Sequence, residues 1–241
     1  MKEYFLVTGA TSGIGLGVVE SLLLAGNHVY GLGRDAGKVT HLKENNNFTF
    51  IKSDLSELTD FQTIIDEITE FSKLSGFVHC AGIEETLPIS QYNTAKINNI
   101  FAVNVFSAIE ILRIISKKKY SADGASIVLI SSVMSELGQI GKVGYCSSKS
   151  AILGLVRSSA LELAKRKIRV NAVSPGMVNT PLTENMANKL GAENLKSIEN
   201  MHPLGFGEIE DIVPLVNFLL SKESRWITGQ NIIIDGGYSI L

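Results

Sequence analysis

The chain has 241 residues, 45% of them hydrophobic and 19% charged, the balance of a folded domain with a sizeable core. Its 22 Lys and Arg against 24 Asp and Glu leave a net charge of −2, which excludes a general attraction to nucleic acid or anionic membrane and points to a small neutral or anionic ligand. The two cysteines, Cys80 and Cys146, lie far apart without metal-ligand spacing, so reduced thiols and no metal site are expected.

The first strand is expected at YFLVT (4–8). That apolar run is too short for a signal-peptide core, and no membrane span is expected later, so the reading places the protein in the cytoplasm. TGATSGIG (8–15) follows the strand and opens a helix at 13–25. Glycines at 9, 13 and 15 permit a tight turn and let backbone N–H groups approach a pyrophosphate at the positive end of the helix dipole. Dinucleotide binding follows from that context.

The second strand, HVYGL (28–32), leads to Gly33 and Arg34. An acidic side chain there would hold a ribose diol and repel a 2′-phosphate; Gly33 followed by Arg34 favours NADP(H), with NAD(H) still possible. Arg34 as an ordinary solvated residue is the plainer reading. After the third strand, FTFIK (48–52), Asp54 either accepts from an adenine amino group or caps a turn.

A helix at 57–73, the strand GFVHC (76–80) and a long helix at 94–117 come next. SIVLIS (126–131) leads to SSVMSELGQIGKVGYCSSK (131–149), which sets Tyr145 one helical turn before Lys149 and Ser132 upstream, ahead of a helix at 145–166. A phenol has an ordinary pKa near ~10, so it needs help to exchange a proton with an alcohol or ketone. An ammonium at i+4 shares its helix face and favours ionisation. IRVNAVS (168–174), a helix at 208–221 and NIIID (231–235) complete seven near-continuous apolar strands alternating with helices. That pattern is an α/β domain, a doubly wound parallel sheet buried on both faces, spanning 1–241 as one unit. The irregular stretch 177–206 follows the sixth strand at the ligand-binding edge and reads as a substrate lid or as a surface excursion.

TGATSGIG, His79-Cys80-Ala81-Gly82, Asn104, Ser132, Tyr145 to Lys149 and Pro175-Gly176 together resemble the short-chain dehydrogenase/reductase family in its single-domain Rossmann-type form. The ending ITGQNIIIDGG (227–237) resembles the 3-oxoacyl-acyl-carrier-protein reductase branch. The resemblance implies a catalytic set of Asn104, Ser132, Tyr145 and Lys149. Tyr145 is the general acid/base, Ser132 donates to the substrate oxygen, Lys149 also holds the nicotinamide ribose, and Asn104 anchors a relay water. The cofactor would be held by Gly9, Thr11, Ser12, Gly13, Ile14, Gly15, Arg34, Asp54, Leu55, Ala81, Gly82, Tyr145, Lys149, Pro175, Gly176, Val178 and Thr180.

The implied activity is reduction of a ketone, 3-oxoacyl-thioester-like, with NADP(H). An alcohol, polyol or sugar dehydrogenase and a non-catalytic NADP-sensing protein are the alternatives, and the intact quartet argues against the sensor. Two features depart from the family pattern. His79-Cys80 stands where an Asn pair is usual, so different bonding at the sheet centre is expected, with His79 a satisfied core residue. HPLGFGEIED (202–211) lacks an Arg and has Ile209 for a Pro, which weakens an acyl-carrier substrate. The basic runs 117–119 and 165–167 read as a carrier dock or as cations completing helix dipoles. A homotetramer or dimer is implied by resemblance, with contacts through the helices that end in those runs and through the C-terminal strand and helix.

Overall fold

The computed structural model of the chain describes residues 2–58, 60–183 and 192–240, without the side chains of 192–194. The elements run β1 (Tyr4–Thr8), α1 (Gly13–Leu24), β2 (His28–Gly33), β3 (Phe48–Lys52), α2 (Phe61–Ile68), β4 (Leu74–His79), α3 (Thr94–Phe101), α4 (Ser107–Ile115), β5 (Ser121–Ile130), α5 (Val143–Leu163), β6 (Arg169–Pro175), α6 (Ala192–Asn200), α7 (Ile209–Leu220) and β7 (Asn231–Ile234). The strands form one sheet in the order β3-β2-β1-β4-β5-β6-β7, every pair parallel. The order reverses between β1 and β4, and in a doubly wound sheet the crevice at that switch point, beyond the strands' carboxyl ends, is where ligands bind.

Alternation along the strands builds two cores. Leu6, Phe77 and Leu129 face Phe61 and Ile65 of α2, Ile111 of α4 and Ile152 of α5. Phe5, Val7, Val78, Val128 and Val173 face Val18 and Val19 of α1 with Ile212 and Val216 of α7. Both faces are therefore dry, which is why the strands read as unbroken apolar runs.

The element boundaries differ from the sequence expectation where polar residues hide structure. β5 begins at Ser121, paired with Leu74 of β4 across a register shift, because backbone pairing does not need apolar side chains there. The helix expected over 57–73 contracts to Phe61–Ile68: the Asp54–Glu57 turn precedes it, and the Thr69 hydroxyl donates back to the Ile65 carbonyl. The 94–117 helix is continuous from Thr94 to Ile115, with a π-helical turn at Ala102–Phe106. Contrary to the sequence reading, it is long and apolar enough to cross a membrane by length and composition, at a mean hydropathy of 1.4. Its buried face, with Ile100, Val105, Ala108, Ile111 and Ile115, belongs to the protein core. The stretch 177–206 carries helix α6; its residues 184–191 lie outside the described residues.

Candidate active site

A single cleft runs along the carboxyl edge of the sheet, from Arg34 and Asp54 at one end, past the glycine loop, to Tyr145 and His202 at the other. All seventeen cofactor residues named from the sequence line it, and so does Ser132; Asn104 lies behind the wall. The glycine loop is shaped for close approach of a ligand backbone. Gly9 has φ +65°, and a Cβ there would sit 2.8 Å from the Ala81 nitrogen. A Cβ on Gly15 would strike the Gly9 carbonyl. Such a cradle at the start of α1 leaves N–H groups and the helix dipole facing the cleft, which suits a pyrophosphate. At Gly33 a Cβ would meet the Thr11 methyl at 2.6 Å, so the structure has no room for the acidic side chain that would read a ribose diol, while Arg34 is exposed beside it.

Asp54 behaves as the turn cap. Its Oδ1 accepts from the Ser56 amide at 3.0 Å and hydroxyl at 2.8 Å, and these two bonds hold its carboxyl below the usual range, with a smaller contribution from Arg34.

Ser132 follows β5 and opens a short turn, accepting from the Met134 amide at 3.2 Å. Tyr145 and Lys149 share one face of α5 near its N-terminus, and the Tyr145 hydroxyl faces the Ser132 side chain. Sequence reasoning expected Lys149 to ease ionisation of Tyr145; burial acts on the phenol in the opposite direction. Burial pushes the phenol up to about 12, the Ser132 side chain opposes this, and the Glu84 carboxylate adds to it. Lys149 is only 4% exposed, and burial pushes its pKa down to about 8. Its Nζ donates to the Ile130 carbonyl at 2.8 Å and lies 5.8 Å from the centre of the Tyr145 ring.

Asn104 sits in the π-helical turn, fully buried. Its Oδ1 accepts from the Ile83 amide at 2.8 Å, and its Nδ2 donates to the Ile83 carbonyl and to Ser148 Oγ, both at 3.0 Å. It thus ties the loop after β4 to α5. Gly82 packs between Asn104 and Lys149: a Cβ there would lie 3.4 Å from Lys149 Nζ and 3.6 Å from Asn104 Oδ1.

His79 bears out the expected change of bonding at the sheet centre. It is wholly buried, with Nδ1 2.9 Å from the Thr8 hydroxyl, so it links β4 to β1. It is half satisfied: Nε2 faces the Val103 and Asn104 carbonyls without reaching hydrogen-bond geometry. Burial first, then the nearby Lys149, drives its pKa down to about 3. Cys80, against Gly15, is a half-buried thiol whose desolvation pushes its pKa up to about 12.

Several cleft residues were not nominated from the sequence. Glu84, Met134, Gln139, Lys142, His202 and Tyr238 all line it. His202 donates from Nδ1 to the Ile198 carbonyl at 2.9 Å and accepts at Nε2 from the Met177 amide at 3.4 Å. Its ring stacks on Tyr238 at 4.6 Å. Their positions depend on chain segments distant in sequence; the only sequence signal was that 177–206 borders the ligand edge. The basic helix ends lie at the opposite edge, where β5 begins. Arg166 pairs with Asp123 at 2.9 Å and donates to the Ser116 carbonyl at 2.7 Å, and Lys119 pairs with Asp66. These contacts fit helix termination rather than a dock beside the cleft.

Residues 9–239 match a protein-family model described as enoyl-(acyl carrier protein) reductase. The chain is 34% identical over 236 residues to a 3-oxoacyl-[acyl-carrier-protein] reductase of Rickettsia bellii, covering 96% of this chain and 95% of that one. Among solved structures it resembles ElxO with NADP bound (28% identity, TM-score 0.89, 100% of both chains). It also resembles a 4-hydroxyisoleucine dehydrogenase complexed with NADH (27% identity, TM-score 0.92, 100% of both chains). A parallel sheet with a glycine cradle at its switch point, and a Ser-Tyr-Lys group in the same cleft, agree with these likenesses. The chain belongs to the short-chain dehydrogenase/reductase family, in its 3-oxoacyl-acyl-carrier-protein reductase-like branch, and is an oxidoreductase of CH–OH and C=O groups that uses a nicotinamide cofactor.

Proposed function

We propose that the chain is an NADP(H)-dependent carbonyl reductase that reduces a ketone, with 3-oxoacyl thioesters as the first substrate class, and that Tyr145 is its general acid. The observation that carries this reading is the Tyr145 hydroxyl facing Ser132 in the cleft, with the Lys149 ammonium buried beside the ring. The nicotinamide, when bound, supplies the hydride. The glycine loop would hold the pyrophosphate, Arg34 would meet the 2′-phosphate, and Pro175, Gly176, Val178 and Thr180 would line the nicotinamide end. Pro181, Leu182, Ile198 and His202 line the substrate side of this single unit.

Ser132 donates to the carbonyl oxygen as negative charge develops on it. Tyr145 holds its proton at neutral pH because burial disfavours the phenolate, and delivers it to the same oxygen. Lys149, with a pKa near 8, is charged at neutral pH and offers a proton to restore the phenol. Asn104 fixes the Ile83 backbone behind the pair and keeps the wall of the relay in place.

The test is oxidation of NADPH and of NADH by the purified protein against an acetoacetyl thioester, a simple diketone and several keto-sugars. Turnover of the thioester with a preference for NADPH is expected. Tight NADPH binding with no turnover of any ketone would overturn the reading in favour of a sensing protein. Arg34→Asp is expected to shift the NADPH/NADH ratio of kcat/KM by at least about tenfold toward NADH, since one charge-assisted phosphate contact is lost and a repulsion gained.

A further inference from the structure

The turn that carries Ser132 is held from two sides. Toward α5, the Ser131 hydroxyl donates to the Lys149 carbonyl at 2.9 Å, and the Ser150 hydroxyl donates to the Ser135 carbonyl at 2.7 Å. Within the turn, the Ser132 carbonyl accepts from the Ser135 amide at 2.9 Å and from the Ser135 hydroxyl at 2.7 Å. On the other side, exposed Glu136 reaches β7: its Oε1 accepts from Asn231 Nδ2 at 2.7 Å, and Asn231 Oδ1 accepts from the Ser174 hydroxyl at 2.6 Å. Ser174 is fully buried in β6 and directly precedes Pro175 and Gly176, which line the cleft.

The chemistry of the three groups fixes their order. An ionised carboxylate only accepts, so the Asn231 amide turns its nitrogen to Glu136 and its oxygen to Ser174. The chain of bonds therefore runs one way, from a buried strand to an exposed carboxylate, and its last link is charge-assisted, the stronger and more directional kind. One end is the turn that aims the Ser132 hydroxyl. The other is the strand end from which the nicotinamide wall of the cleft begins.

We propose that Glu136 and Asn231 are positioning residues that, through Ser174, set the distance between the Ser132 hydroxyl and the wall at Pro175-Gly176. The substrate oxygen that Ser132 takes is then held at one place relative to the nicotinamide end, where a displacement of about 1 Å is enough to slow a reaction by about 10²-fold. This rests on carbonyl reduction with Ser132 as the donor to the substrate oxygen. Both residues act through Ser132 and stand outside the cleft lining.

The experiment measures kcat with NADPH and the fastest ketone of the panel above, per NADPH site counted by fluorescence titration, in the wild type, Asn231→Asp, Glu136→Gln and the double variant. Asn231→Asp sets two carboxylates against each other and is expected to lower kcat by about tenfold, with the Kd for NADPH changed by less than roughly threefold. Glu136→Gln keeps an acceptor without its charge and is expected to lose about threefold. In the double variant the bond re-forms with donor and acceptor exchanged, and kcat is expected to return to within about threefold of the wild type. An unchanged kcat in Asn231→Asp overturns the proposal, and so does a loss that the double variant does not rescue. Should Asn231→Asp not fold, an unchanged kcat in Glu136→Ala, at an exposed position, does the same. Hydrogen exchange of the Ser135 and Glu136 amides, which donate to the Ser132 and Val133 carbonyls, is the second readout: faster exchange in Asn231→Asp and recovery in the double variant are expected. It separates the two ideas. A wild type that reduces no ketone refutes the reductase reading, while unchanged exchange in Asn231→Asp refutes the hold on the Ser132 turn.

Discussion

Burial moves the two ionisable groups of the catalytic pair in opposite senses. Tyr145 is pushed up to about 12 and Lys149 down to about 8, so at neutral pH the phenol is a proton donor and the amine is poised to exchange. Reduction is expected to fall as pH rises past about 8, where Lys149 loses its charge, while oxidation rises with pH as the phenolate becomes accessible; initial rates in both directions against pH check this. Tyr145→Phe removes only the proton-bearing oxygen. Turnover is expected to drop by about 10³-fold or more, within the range of general-acid catalysis, with cofactor affinity from fluorescence titration changed by less than roughly threefold. His79 gives a stability prediction at the same scale. Its folded pKa, about 3, is far below the 6.5 of an ordinary histidine, so on acidification the unfolded chain takes up the proton first. The stability it contributes is present above about pH 6.5 and is lost as pH falls toward 3, at up to about 1.4 kcal/mol per pH unit. His79→Asn is expected to flatten the Tm-against-pH curve over that window.

At the scale of elements, the site depends on where chain segments are forced together rather than on any one helix or strand. The turn between β1 and α1 passes so close to Ala81 that Gly9 must lack a Cβ, and its φ of +65° is one that L side chains rarely adopt. Gly9→Ala is expected to cost about 1–3 kcal/mol in stability, measured by denaturant unfolding, and to weaken cofactor binding at the same time. The π-helical turn between α3 and α4 widens the helix where Asn104 turns inward to hold Ile83 and Ser148. Such turns recur at functional sites because the extra residue redirects a side chain. On the substrate side, His202 connects Met177 after β6, Ile198 of α6 and Tyr238 after β7, so three segments share one ring.

Over the whole molecule, the two cores leave apolar groups on the outer helices and at the C-terminal edge. Phe106, Ile109 and Leu161 are exposed on α4 and α5 with the turn before them, and Phe218, Trp226 and Ile233 near the last helix and strand. Isolated exposed hydrophobics are ordinary, but groups of them on two faces mark contact surfaces. We propose a homo-oligomer assembled through these faces, up to a tetramer. Leu161, 80% exposed on α5, is the position to test: Leu161→Glu is expected to reduce the particle mass by half in light scattering, against a chain mass of 26.1 kDa. A wild type that is monomeric at micromolar concentration would remove the assembly.

The sequence by itself determined the sheet, because strands buried on both faces must be apolar along their length and helices between them must carry one apolar stripe. It also determined the chemistry of the first strand's turn and of the Tyr145–Lys149 helix, since a glycine at a left-handed turn and an i, i+4 pair are local facts. Only the tertiary structure decided that Asp54 caps its own turn, that burial pushes the Tyr145 phenol upward, and that His79 bonds Thr8. The same holds for the Glu84–Lys142 pair and for His202, whose partners lie 58 and 25 residues away in the chain. No local pattern encodes a contact made between segments that meet only when the sheet is closed, and desolvation is a property of the packed interior rather than of the residue.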